Sequence, residues 1–348
     1  MKPFVLASSV IAAVIAAVSF LLHTGTVEVA EKTAMLMGTV VDIKIPFAGA
    51  ANRPEAAAAI DRALDEVRRV EKLFSAFLPD SEVSAINAMK RGEALRISGE
   101  TFSLIERALA FSAITDGAFD ITVKPLVDLW AGARSSGGVP ADNEIIEARD
   151  RVGFRDLILD RRAGTIAFGR DGMSIDMAAI AKGYAVDRAV KVMRDAGVKN
   201  AIVDCGGDMY CLGERSPGRQ WKVGIRHPRD RGKIFMEFPL KDAAVDTSGD
   251  YEKFFTASGK RYSHIVDPRT GYPVGDNVVS ATVVAGDSVT SDALATALCV
   301  LGPKGLESLG RLKYVDAVLV VSDNGKLSLR MSEGFNERRH AVETSDIR

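Results

Sequence analysis

The chain has 348 residues, 47% of them hydrophobic, enough to build one large domain or two around a sizeable core. Its 45 Lys plus Arg offset 46 Asp plus Glu without any basic run, so the electrostatic footprint of a nucleic-acid binder is absent. Four His and three Cys are too few for a dedicated multi-ligand zinc site; Cys205 and Cys211 could bridge in an oxidising compartment, but they read better as small core residues.

From Phe4 to Leu22 runs an uncharged stretch of 19 residues, within the roughly 17–25 needed to cross a bilayer. Its exit, "HTGTVEVAEK", lacks an A-x-A-like cleavage pattern, and no Cys follows for lipid attachment. An uncleaved signal anchor over residues 1–23 is therefore expected. With Lys2 kept inside, the body faces the far side, the periplasmic side of a bacterial inner membrane. Cleavage would instead release it into the periplasm. Residues 24–33 read as a tether, 34–335 as the folded body, and 336–348 as a charged, frayed tail.

"MLMGTVVDIKIP" (35–46) alternates as a half-buried strand does. Pro54 to Phe74 carries Ile60, Leu64, Val67, Val70 and Phe74 at helical spacing, an amphipathic helix. Glu100 to Thr115 predicts a second helix ending near Gly117; residues 137–144 read as a surface loop and 141–170 as irregular. Met177 to Ala196 predicts a third helix stopped by Gly197. Residues 201–330 are rich in strands, with a helix, "TSDALATALCVLG" (290–302), inserted before the last of them. Without regular βαβ alternation the class is α+β with largely antiparallel sheets.

Several stretches could carry chemistry. Asp292 and Thr296 stand four apart on an otherwise apolar helix and so share a face. Capping by Thr290 or Ser291, with an acid suited to the helix dipole, accounts for them equally well. Asp120 in "GAFDITVKPL" sits at a turn-to-strand junction. Asp176 opens the third helix, as an N-cap or beside backbone N–H groups aimed at an anion, and Lys182 follows about two turns on. Gly206-Gly207 in "DCGGDMY" fits a hairpin turn. His264 is the most plausible base by elimination: His23 borders the apolar run, His340 is in the tail and His227 precedes Pro228. No G-x-S-x-G, P-loop or G-x-G-x-x-G occurs, against hydrolase elbows, kinases and Rossmann dehydrogenases.

Nine stretches in order resemble one family, the ApbE flavin transferases, which move FMN from FAD onto a protein. They are "MGTVVDI", "FSAFLPDSEVSAIN", "GAFDITVKPL", "SIDMAAIAKGYAVD", "VDCGGDMYCLG", "WKVGIRHP", "AVDTSGDYEKFF", "SHIVDPRTGYPV" and "VVAGDSVTSDALATALCVLG", spanning residues 37–302. The resemblance implies an ApbE-like body and an FAD:protein FMN transferase that uses Mg2+ and FAD. It places Met37, Phe77, Ala118, Phe119, Asp120, Asp176, Lys182 and Ile265 at the flavin dinucleotide. It makes the Ala179 carbonyl, Asp292 and Thr296 the magnesium ligands. Some members carry a further aspartate where this chain has Ala295, so one carboxylate is expected to be missing.

On that resemblance the acceptor is a Ser or Thr hydroxyl of a flavoprotein, with AMP leaving and His264 as the candidate base. Flavoproteins of membrane redox complexes and the regulator serving nitrous oxide reductase are the acceptors it suggests. The same residues would also serve an FAD pyrophosphatase that uses water, or a membrane-tethered flavin-binding accessory protein without catalysis.

Overall fold

The structure is a computed structural model and describes residues 28–337 apart from positions 48, 231, 258, 276, 311 and 324. The chain enters on a hairpin. Strands β1 (Glu28–Leu36) and β2 (Thr39–Phe47) pair antiparallel from Glu28↔Phe47 to Leu36↔Thr39. The two residues left over, Met37 and Gly38, have φ of 53° and 68°, the pattern whose twist matches the flanking strands. Pairing thus starts inside the stretch expected to be a tether, and Met37 lies on a turn rather than in a strand.

Helix α1 (Arg53–Phe74) buries Ile60, Leu64, Val67, Val70 and Phe74, as its periodicity predicts. After α2 (Glu82–Asn87), β3 (Ala94–Arg96) and α3 (Gly99–Ile114) come α4 (Lys124–Ser136) and α5 (Asp142–Arg149). Strands β4 (Leu157–Asp160) and β5 (Thr165–Phe168) join β3 in a small sheet of order β3-β5-β4. Residues 141–170 are therefore regular structure, not the irregular stretch expected. Pro125 in the first turn of α4 and left-handed Gly137 just past its end mark a helix that the sequence reading missed.

Helix α6 (Ala178–Asp195) ends before Gly197, whose φ is 81°. Strands β6 (Ala201–Cys205) and β7 (Asp208–Leu212) turn through Gly206-Gly207, as expected. Then follow β8 (Trp221–Arg226), β9 (Ile234–Leu240), β10 (Ala243–Gly249), β11 (Phe254–Ala257), β12 (Lys260–Ser263) and β13 (Val278–Ala285). Helices α7 (Ser288–Leu301) and α8 (Pro303–Leu309) precede β14 (Asp316–Asp323) and β15 (Lys326–Met331).

The main sheet has the order β1-β2-β6-β7-β10-β13-β14-β15, with every neighbouring pair antiparallel. Strand alternation sends Tyr210, Ala244, Ala281, Val283 and Leu319 to the core shared with α1, α6 and α7. Cys211, Val245, Val284 and Val318 go to the opposite face, where β8 and β9 bring Trp221, Val223, Ile225 and Phe238. Cys205 and Cys211 fall on different faces, and all three cysteines are free and buried, so the possible bridge does not form. A third cluster joins Leu126 and Trp130 of α4 to Ile145 of α5, with Phe255 and Tyr262 of β11 and β12 against it.

Residues 333–337 make one helical turn that buries Phe335. The expected anchor over residues 1–23 lies outside the described residues; of the frayed tail expected over 336–348, residues 336 and 337 instead complete this helical turn, and the rest lies outside the described residues. Among the described residues no helix is long and apolar enough to cross a membrane.

Candidate active site

Strand β10 reads A-A-V-D-T-S-G, and its alternation turns Ala244, Asp246 and Ser248 toward α7. Successive turns of α7 answer with Ser288, then Ser291 and Asp292, then Thr296 and Cys299. Asp246 is fully buried; its Oδ1 accepts from the Met209 amide at 2.9 Å, and both oxygens accept from Ser288 Oγ at 3.0 and 2.9 Å. Ser291 Oγ donates to Asp246 Oδ2 as well. Ser248 Oγ and Thr296 Oγ1 lie 3.2 Å apart, and Cys299 Sγ approaches the Ser248 carbonyl.

Capping does not explain Asp292. The helix begins at Ser288, and its N-cap is Asp287, whose Oδ1 accepts from the Thr290 amide at 2.9 Å. Asp187, reaching over from α6, accepts from the amides of Ser288 and Val289 at 2.8 and 3.0 Å. Neither Thr290 nor Ser291 is the cap, and Asp292 sits in the second turn, beyond the orphan amides. Instead its Oδ2 accepts from the Gly183 amide of α6 at 3.0 Å. The two helices cross so closely that a Cβ on Gly183 would stand 2.2 Å from the Ser288 carbonyl oxygen.

Lys182, one residue before that crossing, forms an ion pair with Asp208 and stands 3.8 Å from Asp292 Oδ1. Asp208 follows the Gly206-Gly207 turn, and the Met37-Gly38-Thr39 turn abuts that turn: Gly206 N donates to the Val40 carbonyl at 3.0 Å. Two buried carboxylates, Asp208 and Asp292, thus share one ammonium. Burial pushes the carboxyls of Asp246 and Asp292 above their ordinary range, and Asp292 raises Asp246 further. Burial works against the Lys182 ammonium, but Asp292, Asp246 and other negative groups around it outweigh that and raise its pKa. Such a cluster has a surplus of negative charge that a cation would relieve. Among the described residues, no three His, Cys, Asp or Glu side chains cage a metal by themselves.

The N-terminal end of α6 carries the other arm. Asp176 Oδ1 accepts from the Ala178 amide at 2.8 Å, and the Asp176 amide donates to the Ile121 carbonyl at 2.7 Å. This bond ties Asp120 and Asp176 together. Asp120 leads into a 3-10 turn and α4, not into a strand as expected, because its Oδ1 accepts from the Thr122 amide and hydroxyl. Its Oδ2 accepts from the Phe154 amide at 2.9 Å. Burial raises the pKa of both carboxyls. Ala118 and Phe119 are buried as whole residues, and their amides donate to the carbonyl and the hydroxyl of Thr115. Ala179 stands one turn ahead of Gly183 on α6.

His264 follows β12 directly. Its Nδ1 lies 2.9 Å from the Lys253 carbonyl, an acceptor only, so Nδ1 carries the hydrogen and Nε2 keeps a lone pair. The ring touches solvent, yet crowding by the surrounding chain, followed by like charge from Lys253, Lys182 and Arg134, holds its pKa below the ordinary histidine value. Ile265 is buried, and its carbonyl accepts from the Val274 amide. The Met37 amide donates to Glu71 Oε1 at 2.7 Å. Phe77 is 94% exposed in the loop after α1, and no contact ties it to the cluster.

The structure joins Lys182 to Asp208 and Asp292, sets Thr296 of the same helix against Ser248, and ties Asp120 to Asp176 through the Ile121 carbonyl; among the described residues no hydrogen bond or ion pair joins His264 to them. The structure adds Asp208, Asp246, Ser248 and Ser288, which the sequence reading did not single out.

The model of the ApbE family matches residues 37–319. The FAD:protein FMN transferase of Vibrio cholerae is 32% identical over 319 residues, covering 89% of this chain and 94% of that protein. The one of Treponema pallidum is 34% identical over 329 residues, covering 88% of each. The crystal structure of the ApbE protein from Thermotoga maritima superposes with a TM-score of 0.80 at 33% identity, over 90% of this chain and 99% of that one. The flavin transferase ApbE from Vibrio cholerae gives 0.77 at 29% identity, over 90% and 100%. Sequence and architecture agree over nearly the whole described body: the chain belongs to the ApbE family.

Proposed function

We propose that this chain is an FAD:protein FMN transferase that moves FMN from FAD to a Ser or Thr hydroxyl of an acceptor protein, using Mg2+ and releasing AMP. The observation that carries this reading is the cluster in which Lys182 pairs with Asp208 and stands 3.8 Å from Asp292 Oδ1, two buried carboxylates around one ammonium. Its surplus negative charge and hard oxygen donors suit a magnesium ion bound together with a pyrophosphate. Asp292, Thr296 and the Ala179 carbonyl would hold the ion. The Gly183 amide, whose regular helical acceptor is Ala179, reaches Asp292 and so brings that carboxylate to the turn of α6 bearing Ala179. When bound, magnesium neutralises charge on the pyrophosphate.

The remaining work falls to the chain itself. Lys182 supplies a positive donor for a phosphate oxygen. Asp120, its oxygens filled by Thr122 and Phe154, shapes the loop carrying Ala118 and Phe119, which would border the dinucleotide. Asp176 holds that loop to α6, while Met37, Phe77 and Ile265 serve the flavin. His264 Nε2 accepts the proton of the attacking hydroxyl. The hydroxyl oxygen bonds to the FMN phosphorus, the bond from that phosphorus to the bridging oxygen breaks, and AMP departs. Ala295 is fully buried in the core, and Asp246 brings a carboxylate to the same seam from β10.

The uncharged run over Phe4–Leu22 supports anchoring in the inner membrane with the body on the periplasmic side. There it would serve a flavoprotein of a membrane redox complex or the regulator of nitrous oxide reductase. The mass of the mature N-terminus distinguishes an anchor from a cleaved signal. The activity is tested by mixing the full chain, FAD, Mg2+ and an acceptor, then viewing a gel under ultraviolet light. A fluorescent acceptor band is expected. Free FMN without a band would make the enzyme a pyrophosphatase, consistent with the solvent contact of His264. FAD binding with neither product would leave only an accessory role.

A further inference from the structure

Asp246 is the most enclosed charge in the molecule's central seam, and the reaction gives it no task. Both of its oxygens are engaged, by the Met209 amide and by the hydroxyls of Ser288 and Ser291, and among the described residues no Lys or Arg forms an ion pair with it. Those two serines lie on α7 on either side of the turn that leads to Asp292. Two residues along β10, Ser248 meets Thr296 at 3.2 Å. Strand β10 therefore grips α7 at two heights, and Asp292 is carried between them. Opposite, Gly183 allows α6 so close that Asp292 reaches its amide. A small rotation of α7 about its axis would lift Asp292 from that amide and from Lys182, and move Thr296 with it.

We propose that Asp246, with Ser288 and Ser291, is a positioning unit that sets the affinity of the Asp292–Thr296 face for its divalent cation. It acts by fixing the rotation of α7 on β10, and it touches neither substrate nor reacting atoms. This rests on the magnesium reading given above. Groups that orient ligands in this way are worth about 10–100-fold in metal affinity.

The test is calorimetric titration of Mg2+ into the full chain with FAD present and acceptor absent, beside the Mg2+ dependence of transfer. Asp246→Ala should weaken Mg2+ binding about tenfold or more, with transfer largely recovered at saturating Mg2+. Asp246→Asn should bind nearly as wild type, because its amide oxygen still accepts from Met209 and its amide group still meets the rotatable serine hydroxyls. A folded Asp246→Ala chain with unchanged Mg2+ affinity would overturn the proposal, even with a lowered Tm. So would an Asn variant as impaired as the Ala variant. If Asp246→Ala does not fold, the Ser288→Ala/Ser291→Ala double variant replaces it; weaker Mg2+ binding supports the unit and unchanged binding overturns it. A wild-type chain that binds no Mg2+ would instead fail the magnesium reading itself.

Discussion

At the scale of single residues the site spends stability on function. Asp292 and Asp246 are buried beside each other with one ammonium near, an arrangement a neutral side chain would relieve. Asp292→Asn is therefore expected to keep or raise Tm in calorimetry while lowering transfer by about 10²–10³ in the fluorescent-band assay. His264 makes a second prediction. With its pKa below the ordinary value, the imidazole is neutral across the pH range where a free histidine would titrate. The transfer rate should thus hold down to pH values below about 6.5 and fall only in stronger acid. His264→Asn should lose both the rate and that acid limb; an unchanged rate would remove it as the base. The pair Asp292 and Thr296 is legible in the sequence because four-residue spacing defines a helix face. Asp246 and Asp208 are not: each sits beside glycines or hydroxyl residues, and an acid there reads as a turn until strand register shows which way it points.

At the scale of elements the close crossing of α6 and α7 is the most exacting feature. Gly183→Ala would drive a methyl into the Ser288 carbonyl and the Asp292 side chain, and backbone cannot step aside as a flexible side chain can. A loss of at least about 2 kcal/mol is expected from denaturant unfolding, with transfer failing alongside. Trp130 is the second such point. Its Nε1 donates to the Gly271 carbonyl at 2.9 Å, and its ring stacks on Tyr262, so α4 steadies the hairpin that leads to His264. Trp130→Ala should cost about 3–5 kcal/mol. Helices α1, α3, α6 and α7 follow from apolar periodicity with errors of a residue or two at their ends. Helices α4 and α5 do not, since α4 buries only Leu126 and Trp130 and leaves its other positions wetter. Their signals were punctuation, Pro125 and Gly137, rather than period.

At the scale of the molecule a charged network fastens three helices away from the site. Glu66 of α1 accepts from Arg69 and from Arg188 of α6; Arg69 also reaches Glu100 of α3, which accepts from Tyr184. The Arg69 hydrogen bonds first, and Arg188 after them, lower the Glu66 pKa to about 2. Because the folded value lies below the unfolded one, this stability is complete above about pH 4.5 and drains away as pH falls toward 2. Glu66→Gln should flatten that acid loss, by on the order of 1–3 kcal/mol, when urea unfolding is compared at pH 6 and pH 3. The α+β class and the antiparallel sheet were legible from strand patterning, whereas the strand order, with β6 and β7 placed between β2 and β10, is fixed by long-range packing alone.

That strand order has a consequence for how the protein is born. Lys182 and Asp208 meet once α6 lies over β7, but Asp246 and Asp292 join them only when β7 has zipped to β10 and α7 has settled over the strands. Closing such distant pairs is slow, because loop entropy is surrendered before contacts return anything. A half-folded chain therefore lacks Asp246 and Asp292 at the Lys182–Asp208 pair. The capacity to grip a nucleotide switches on only with the last closure, so ligand capture doubles as a report that folding is complete.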